Sequence, residues 1–111
     1  LKTKRKESSM QSYIANLVTT QEIPDDGIIS RNIYKDEQVT AVLFGFSQGQ
    51  ELSEHTAAVP IIIQIISGEA RLTVGEEVID AGPNAWLHLD AKQPHSVYAK
   101  TPLVMLLTLL K

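Results

Sequence analysis

The apolar positions change period once along the chain. Met10, Tyr13, Ile14, Leu17 and Val18 recur at helical spacing and share one face. Ser8 and Ser9 precede them as caps, and Thr19, Thr20 and then Pro24 end the run. This spacing predicts a short amphipathic helix over about 9–18, used as a lid on the body or as a subunit contact. Beyond Pro24 the pattern is that of strands and turns. Residues 28–34 and 38–46 are rich in β-branched and aromatic side chains, with Lys35, Asp36 and Glu37 between them. Residues 59–66 read Val-Pro-Ile-Ile-Ile-Gln-Ile-Ile, too apolar for a strand with one wet face, so both faces are expected to be covered. Gly68 breaks this run. Arg71 and Thr73 then alternate with Leu72 and Val74, the pattern of a half-exposed strand, and Gly75-Glu76 signals a tight hairpin. A turn is expected over 80–84, and strands over 85–89, 96–99 and 103–110 complete the set.

Many short strands with regular Gly and Pro punctuation indicate an all-β sandwich or barrel. The chain has 111 residues, the size of one domain. It divides into a tail and short helix over 1–24 and a β-barrel over 25–111, with no internal repeat and no low-complexity linker.

Charge and composition remove several function classes. The net charge is −3 and unevenly spread. Lys2, Lys4, Arg5 and Lys6 crowd the start, which reads as a solvated terminus; after Glu7 there are six basic and twelve acidic residues. An acidic body repels phosphate backbones, and no recognition helix is present, so nucleic acid is not expected as a partner. With no cysteine, disulfides, thiolate nucleophiles and Cys-based metal centres are excluded. The apolar stretch 103–110 is far shorter than the roughly 20 residues of a spanning helix. Glu7, Ser8, Ser9 and Gln11 interrupt any apolar leader. The expectation is a cytoplasmic protein with no membrane partner.

Chemistry must then come from three histidines, since imidazole is the usual protein ligand for transition metals and the usual general base near neutral pH. His55 lies seven residues before Ile62 in the apolar run, His88 follows Trp86-Leu87, and His95 follows Gln93-Pro94. Their surroundings resemble the cupin family. Its first motif runs Gly, five residues, His, one residue, His, three or four residues, Glu, six residues, Gly. Gly49, His55 and Gly68 stand at those places, whereas Ala57 occupies the position of the second His and Ile61 that of the Glu. Asp90-Ala91-Lys92-Gln93-Pro94-His95 resembles the proline-containing end of the second motif, and Gly82 its opening. The resemblance covers about 38–110.

It implies a double-stranded β-helix, or jelly-roll, barrel with His55 and His95 in the mouth, and a homodimer. Family members with the full motif hold a divalent metal through three His and one Glu. Here His55 and His95 are the expected ligands, with zinc, iron, manganese or nickel as candidate metals. His88 becomes a third ligand if the Trp86–His88 face looks inward, and lies outside if Leu87 and Leu89 do. Gln64, Trp86, Phe44 and Tyr98 are candidates for a pocket lining or for supporting contacts, with core packing or a sheet contact as their structural alternative. Glu54 should point away from its neighbour His55 in a regular strand. Three readings remain open: a metal-dependent enzyme, a metal-free barrel binding a small polar molecule, and a dimeric structural barrel without catalysis.

Overall fold

The structure is a computed structural model and describes residues 11–111. One short helix, α1 (Leu17–Thr20), precedes nine strands: β1 (Ile28–Lys35), β2 (Val39–Phe46), β3 (Glu51–His55), β4 (Ile61–Ser67), β5 (Ala70–Val74), β6 (Glu77–Ala81), β7 (Trp86–Leu89), β8 (His95–Ala99) and β9 (Leu103–Leu110). They form a five-stranded sheet in the order β1-β2-β9-β4-β7 and a four-stranded sheet in the order β3-β8-β5-β6. All observed pairings are antiparallel. The predicted all-β jelly roll with a short N-terminal helix is the fold observed.

Alternation along the strands builds the core. In β4, Ile61, Ile63 and Ile65 are buried, while Ile62, Gln64 and Ile66 are only partly covered. Register carries this inner face across the sheet: Ile61 lies opposite Leu89 and Leu109, Ile63 opposite Leu87 and Leu107, and Ile65 opposite Met105. From the other sheet come Ala70, Leu72, Ala81, Val97 and Ala99. Each fully buried Ile or Leu contributes about 1.5–3 kcal/mol relative to exposure, so this interlayer is the main source of stability.

The helix is shorter than its spacing suggests. Residues 11–16 are not helical, and Tyr13 is 83% exposed. The cap is Asn16, whose side chain accepts hydrogen bonds from the amides of Val18 and Thr19 at 2.9 and 3.2 Å. Ser8, Ser9 and Met10, invoked for the longer helix, lie outside the described residues. Two physical reasons limit the helix: Val18, Thr19 and Thr20 are β-branched, and a single turn fixes several residues for one hydrogen bond.

The N-terminal segment is nevertheless docked. α1 packs against β4. Past it, Gln21 is buried, and the carbonyl of Glu22 comes so close to Gly45 on β2 that a Cβ there would collide with it. Beneath this crossing, on the outer side of the five-stranded sheet, Leu43 and Val104 are almost completely buried, so the segment covers that end of the sheet.

Two strands were not delineated by the pattern alone, β3 and β6. β6 continues through Asp80 and Ala81, so the turn expected over 80–84 begins later, around Asn84 with its positive φ of 75°. Ladder pairing with β5 extends the strand: Ala70 opposes Ala81 and Arg71 opposes Asp80.

Candidate functional site

His55 ends β3 and His95 opens β8, and the two stand opposite each other in the ladder. Their rings touch, with centroids 4.3 Å apart and planes inclined by 58°. His95 is buried at 4% exposure and His55 is exposed, so the pair reaches from the barrel interior to solvent.

A bulge makes this pairing possible. Leu52 opposes Val97, but the next matched pair is His55 with His95, three residues along one strand against two along the other. In a regular ladder counted from Leu52, Glu54 would take the inner place and His55 would point outward. The extra residue reverses that choice and turns His55 to the face of Leu52 and His95.

Both rings have a fixed orientation. His55 Nδ1 lies 2.8 Å from the carbonyl oxygen of Ser53, and His95 Nδ1 lies 2.8 Å from that of Gln93. A carbonyl oxygen only accepts, so each Nδ1 carries the hydrogen and donates it. In the neutral rings both Nε2 atoms then keep their lone pairs free for a ligand.

The register row of the pair continues to Val74 on β5 and from there to Glu77 on β6. Glu77 is the carboxylate that the row places on this face, a residue the spacing had not singled out. Three strand spacings separate it from His55 and two from His95, the latter roughly 10 Å, too far to share an ion. Its signal in the sequence was only its position across the Gly75-Glu76 hairpin from Val74.

The other candidates are distributed elsewhere. Leu87 and Leu89 face the core, which sends His88 and Trp86 to the outer face of the five-stranded sheet. His88 is thus set apart from the His55–His95 pair and is not placed to complete its shell. Gln64 lies on that same outer face, between Trp86 and Leu106. Tyr98 is on the outer face of the four-stranded sheet, between Glu51 and Arg71. Only Phe44 looks inward, partly buried beside Phe46 at a ring distance of 6.0 Å. Strand parity is the reason in every case: alternate residues lie on opposite faces, and the apolar partners of Trp86, His88, Gln64 and Tyr98 claim the inner one.

The two departures from the motif are filled by packing. Ile61 is 1% exposed in the core, and Ala57 packs against it. Among the described residues no group of three or more His, Cys, Asp or Glu side chains comes together as a metal shell. The donor set therefore does not fit the four-ligand metal of the full motif; it offers two imidazole nitrogens.

Two cavities lie away from the pair. A groove of about 490 Å³ runs between the N-terminal segment and β1, past Tyr13, Leu17, Ile33 and Tyr34. An apolar cavity of about 60 Å³ is lined by Ile63, Leu72, Ile79 and Leu87 among others, and its lining includes neither His55 nor His95.

No family model and no curated protein matches the chain by sequence. Solved structures do match. A cupin superfamily protein from Desulfitobacterium hafniense superposes with a TM-score of 0.83 at 25% identity, covering 96% of this chain and 98% of its own. An RmlC-like cupin protein from Desulfovibrio desulfuricans gives 0.80 at 28% identity, covering 92% and 97%. A conserved protein of unknown function from Streptococcus pyogenes shares the fold, with a TM-score of 0.82 at 23% identity over 98% and 96%. With the strand order, the glycine positions and these neighbours in agreement, the chain is a small cupin-superfamily barrel whose mouth carries a pair of histidines.

Proposed function

We propose that the protein binds a small polar molecule at the barrel mouth, through the Nε2 atoms of His55 and His95. The observation that carries this reading is the pair of carbonyl-anchored Nδ1–H groups, 2.8 Å from Ser53 and Gln93. They leave two acceptors side by side, one within the barrel and one at its rim. A ligand bearing hydroxyl or carboxylic acid protons suits such a pair, because each O–H can donate to one Nε2. The buried imidazole would orient the ligand, and the exposed one would exchange its proton with solvent. A base of this kind also permits proton abstraction, but binding alone accounts for both rings.

The same lone pairs would hold a divalent transition metal only as half of a tetrahedral shell, with the ligand or water supplying the rest. Titration separates the two cases. Nitrogen NMR of the imidazoles is expected to show both rings in the Nδ1–H tautomer, and a panel of hydroxy acids and sugars is expected to perturb Nε2. An Nε2–H tautomer in both rings would sink the proposal. Stoichiometric zinc or nickel at the pair would favour the metal reading; a metal at 100 times its dissociation constant adds about 2.7 kcal/mol of stability, readily seen in a thermal melt.

A further inference from the structure

β6 carries two carboxylates, and strand parity sends them to opposite faces. Asp80 lies on the outer face, where Arg71 and Lys100 pair with it at 3.3 and 3.4 Å. Glu77 shares the inner face with Ile79 and Ala81, which pack into the core. Its own place is one row beyond Ile79, in line with Val74, His95 and His55. It is exposed, and among the described residues no hydrogen bond or ion pair engages its carboxylate.

The hairpin that bears Glu77 is tied to the turn that leads into His95. The Gly75 amide donates to the Pro94 carbonyl at 3.0 Å. Gly75 has a φ of 60°, and a Cβ there would lie 3.3 Å from the side-chain nitrogen of Gln93, so that side chain rests against the bare hairpin. The carbonyl of the same Gln93 accepts from His95 Nδ1. One residue therefore touches both sides of the gap and holds Glu77 in place relative to His95. The Lys92 amide donates to the Ala57 carbonyl at 2.8 Å, which joins the loop after His55 to the same turn. These loops add Glu76, Asp90 and one cation, Lys92, so acid outweighs base along this rim.

We infer that Glu77 is a second recognition point of the mouth and selects a small hydroxylated ligand that carries a cationic amine. The inference rests on the proposed binding at His55 and His95 and adds what meets the far end of the ligand. The two Nε2 atoms accept from hydroxyl groups. Two strand spacings from His95, roughly 10 Å between backbones, a carboxylate accepts from an ammonium group. An aminated sugar carries both kinds of group on one small frame. A neutral sugar satisfies only the imidazoles, and a sugar acid brings its carboxylate against that of Glu77.

Nitrogen NMR titration of the full chain at neutral pH with 6-amino-6-deoxyglucose, glucose and glucuronate tests this. The three differ only at C6, which bears a cation, a hydroxyl or an anion. Wild type is expected to bind them in that order. The amine should be favoured over glucose by about three- to fivefold, the scale of an exposed ion pair. That preference should vanish in about 1 M salt. Glu77→Gln should bring the amine and glucose to equal affinity while glucose still perturbs Nε2, and Glu77→Asp should keep part of the preference. Glu54→Gln removes the carboxylate beside His55 that the bulge turns outward, and it should leave the preference unchanged. That control separates a placed carboxylate from the net charge of the body. Circular dichroism melts confirm that each variant is folded. Equal binding of amine and glucose by wild type, with Nε2 perturbed by both, would overturn the inference and leave the histidine reading standing. An amine preference that survives Glu77→Gln, or is lost in Glu54→Gln, would overturn it in the same way. If none of the three sugars perturbs Nε2, the inference fails together with the reading beneath it.

Discussion

His55 and His95 face each other across the β3–β8 ladder at 4.3 Å, yet one is exposed and the other buried. That asymmetry predicts unequal costs on truncation. His95→Ala removes a buried ring and leaves the Gln93 carbonyl without its donor, so it should destabilise by about 1–3 kcal/mol. His55→Ala removes an exposed ring and should fall within about 0.5 kcal/mol of wild type. Urea unfolding of the two variants checks this, and equal losses would contradict the placement of the pair.

Ile61 occupies the place of the motif's glutamate and packs opposite Leu89 and Leu109. Ile61→Glu would bury a carboxylate with no cationic partner on that apolar row. The expected loss is about 3–5 kcal/mol at neutral pH, partly recovered in acid as the carboxyl takes up its proton. Denaturation at pH 7 and pH 4 reads both effects. A variant as stable as wild type would show that the position tolerates a ligand after all.

Gly45 is where the N-terminal segment presses on β2. The obstructing atom is the backbone carbonyl of Glu22, which has no flexible end to swing aside. Gly45→Ala should therefore lift the segment and cost about 1–3 kcal/mol, the usual range for overpacking. Hydrogen exchange should quicken in residues 17–22 while the amides of β4 and β9 stay protected. Unchanged exchange over 17–22 would mean that the contact is not what holds the segment.

Tyr34 and Asp36 predict a two-sided pH response in the β1–β2 turn. The Tyr34 hydroxyl donates to Asp36 Oδ2 at 2.6 Å, and the amides of Gln38 and Val39 donate to Oδ1 at 2.8 Å each. The tyrosine bond first, then those two amides, hold the Asp36 carboxyl below its ordinary value. The same bond and the carboxylate charge raise the Tyr34 hydroxyl above its ordinary value. The stabilisation from Asp36 is full above its unfolded pKa and is lost as pH falls through the lowered one. That from Tyr34 is full below its unfolded pKa and is lost as pH rises through the raised one. Both groups are exposed, so the effect is small. Tyr34→Phe should flatten the stability profile at the alkaline end and weaken its acid slope. An identical profile in the variant would exclude this contact as a source of pH dependence.

Much of the fold is local in origin and was therefore legible in the sequence. Arg71 and Thr73 alternate with Leu72 and Val74, and many short strands with turns at Gly68 and Gly75 leave few architectures other than a sandwich or barrel. The family resemblance carried by Gly49, His55 and Gly68 implied the same barrel; both glycines stand in turns with positive φ, and His55 ends β3. The length of the helix was not legible. Its apolar spacing was present, but a stable helix needs a surface to pack on, and Tyr13 has none.

The candidate site divides along the same line. That His55 and His95 were the residues to watch followed from residue type and from the family resemblance of their surroundings. That they meet depended on a bulge between Leu52 and His55, and a bulge is a property of two paired strands, not of either one alone. The outward turn of His88 was an open choice of parity in Trp86-Leu87-His88-Leu89, since either face of an isolated strand satisfies the alternation. Only the packing of Leu87 and Leu89 against Ile63 and Ile61 decided it, because burying two leucines and exposing a histidine costs less than the reverse.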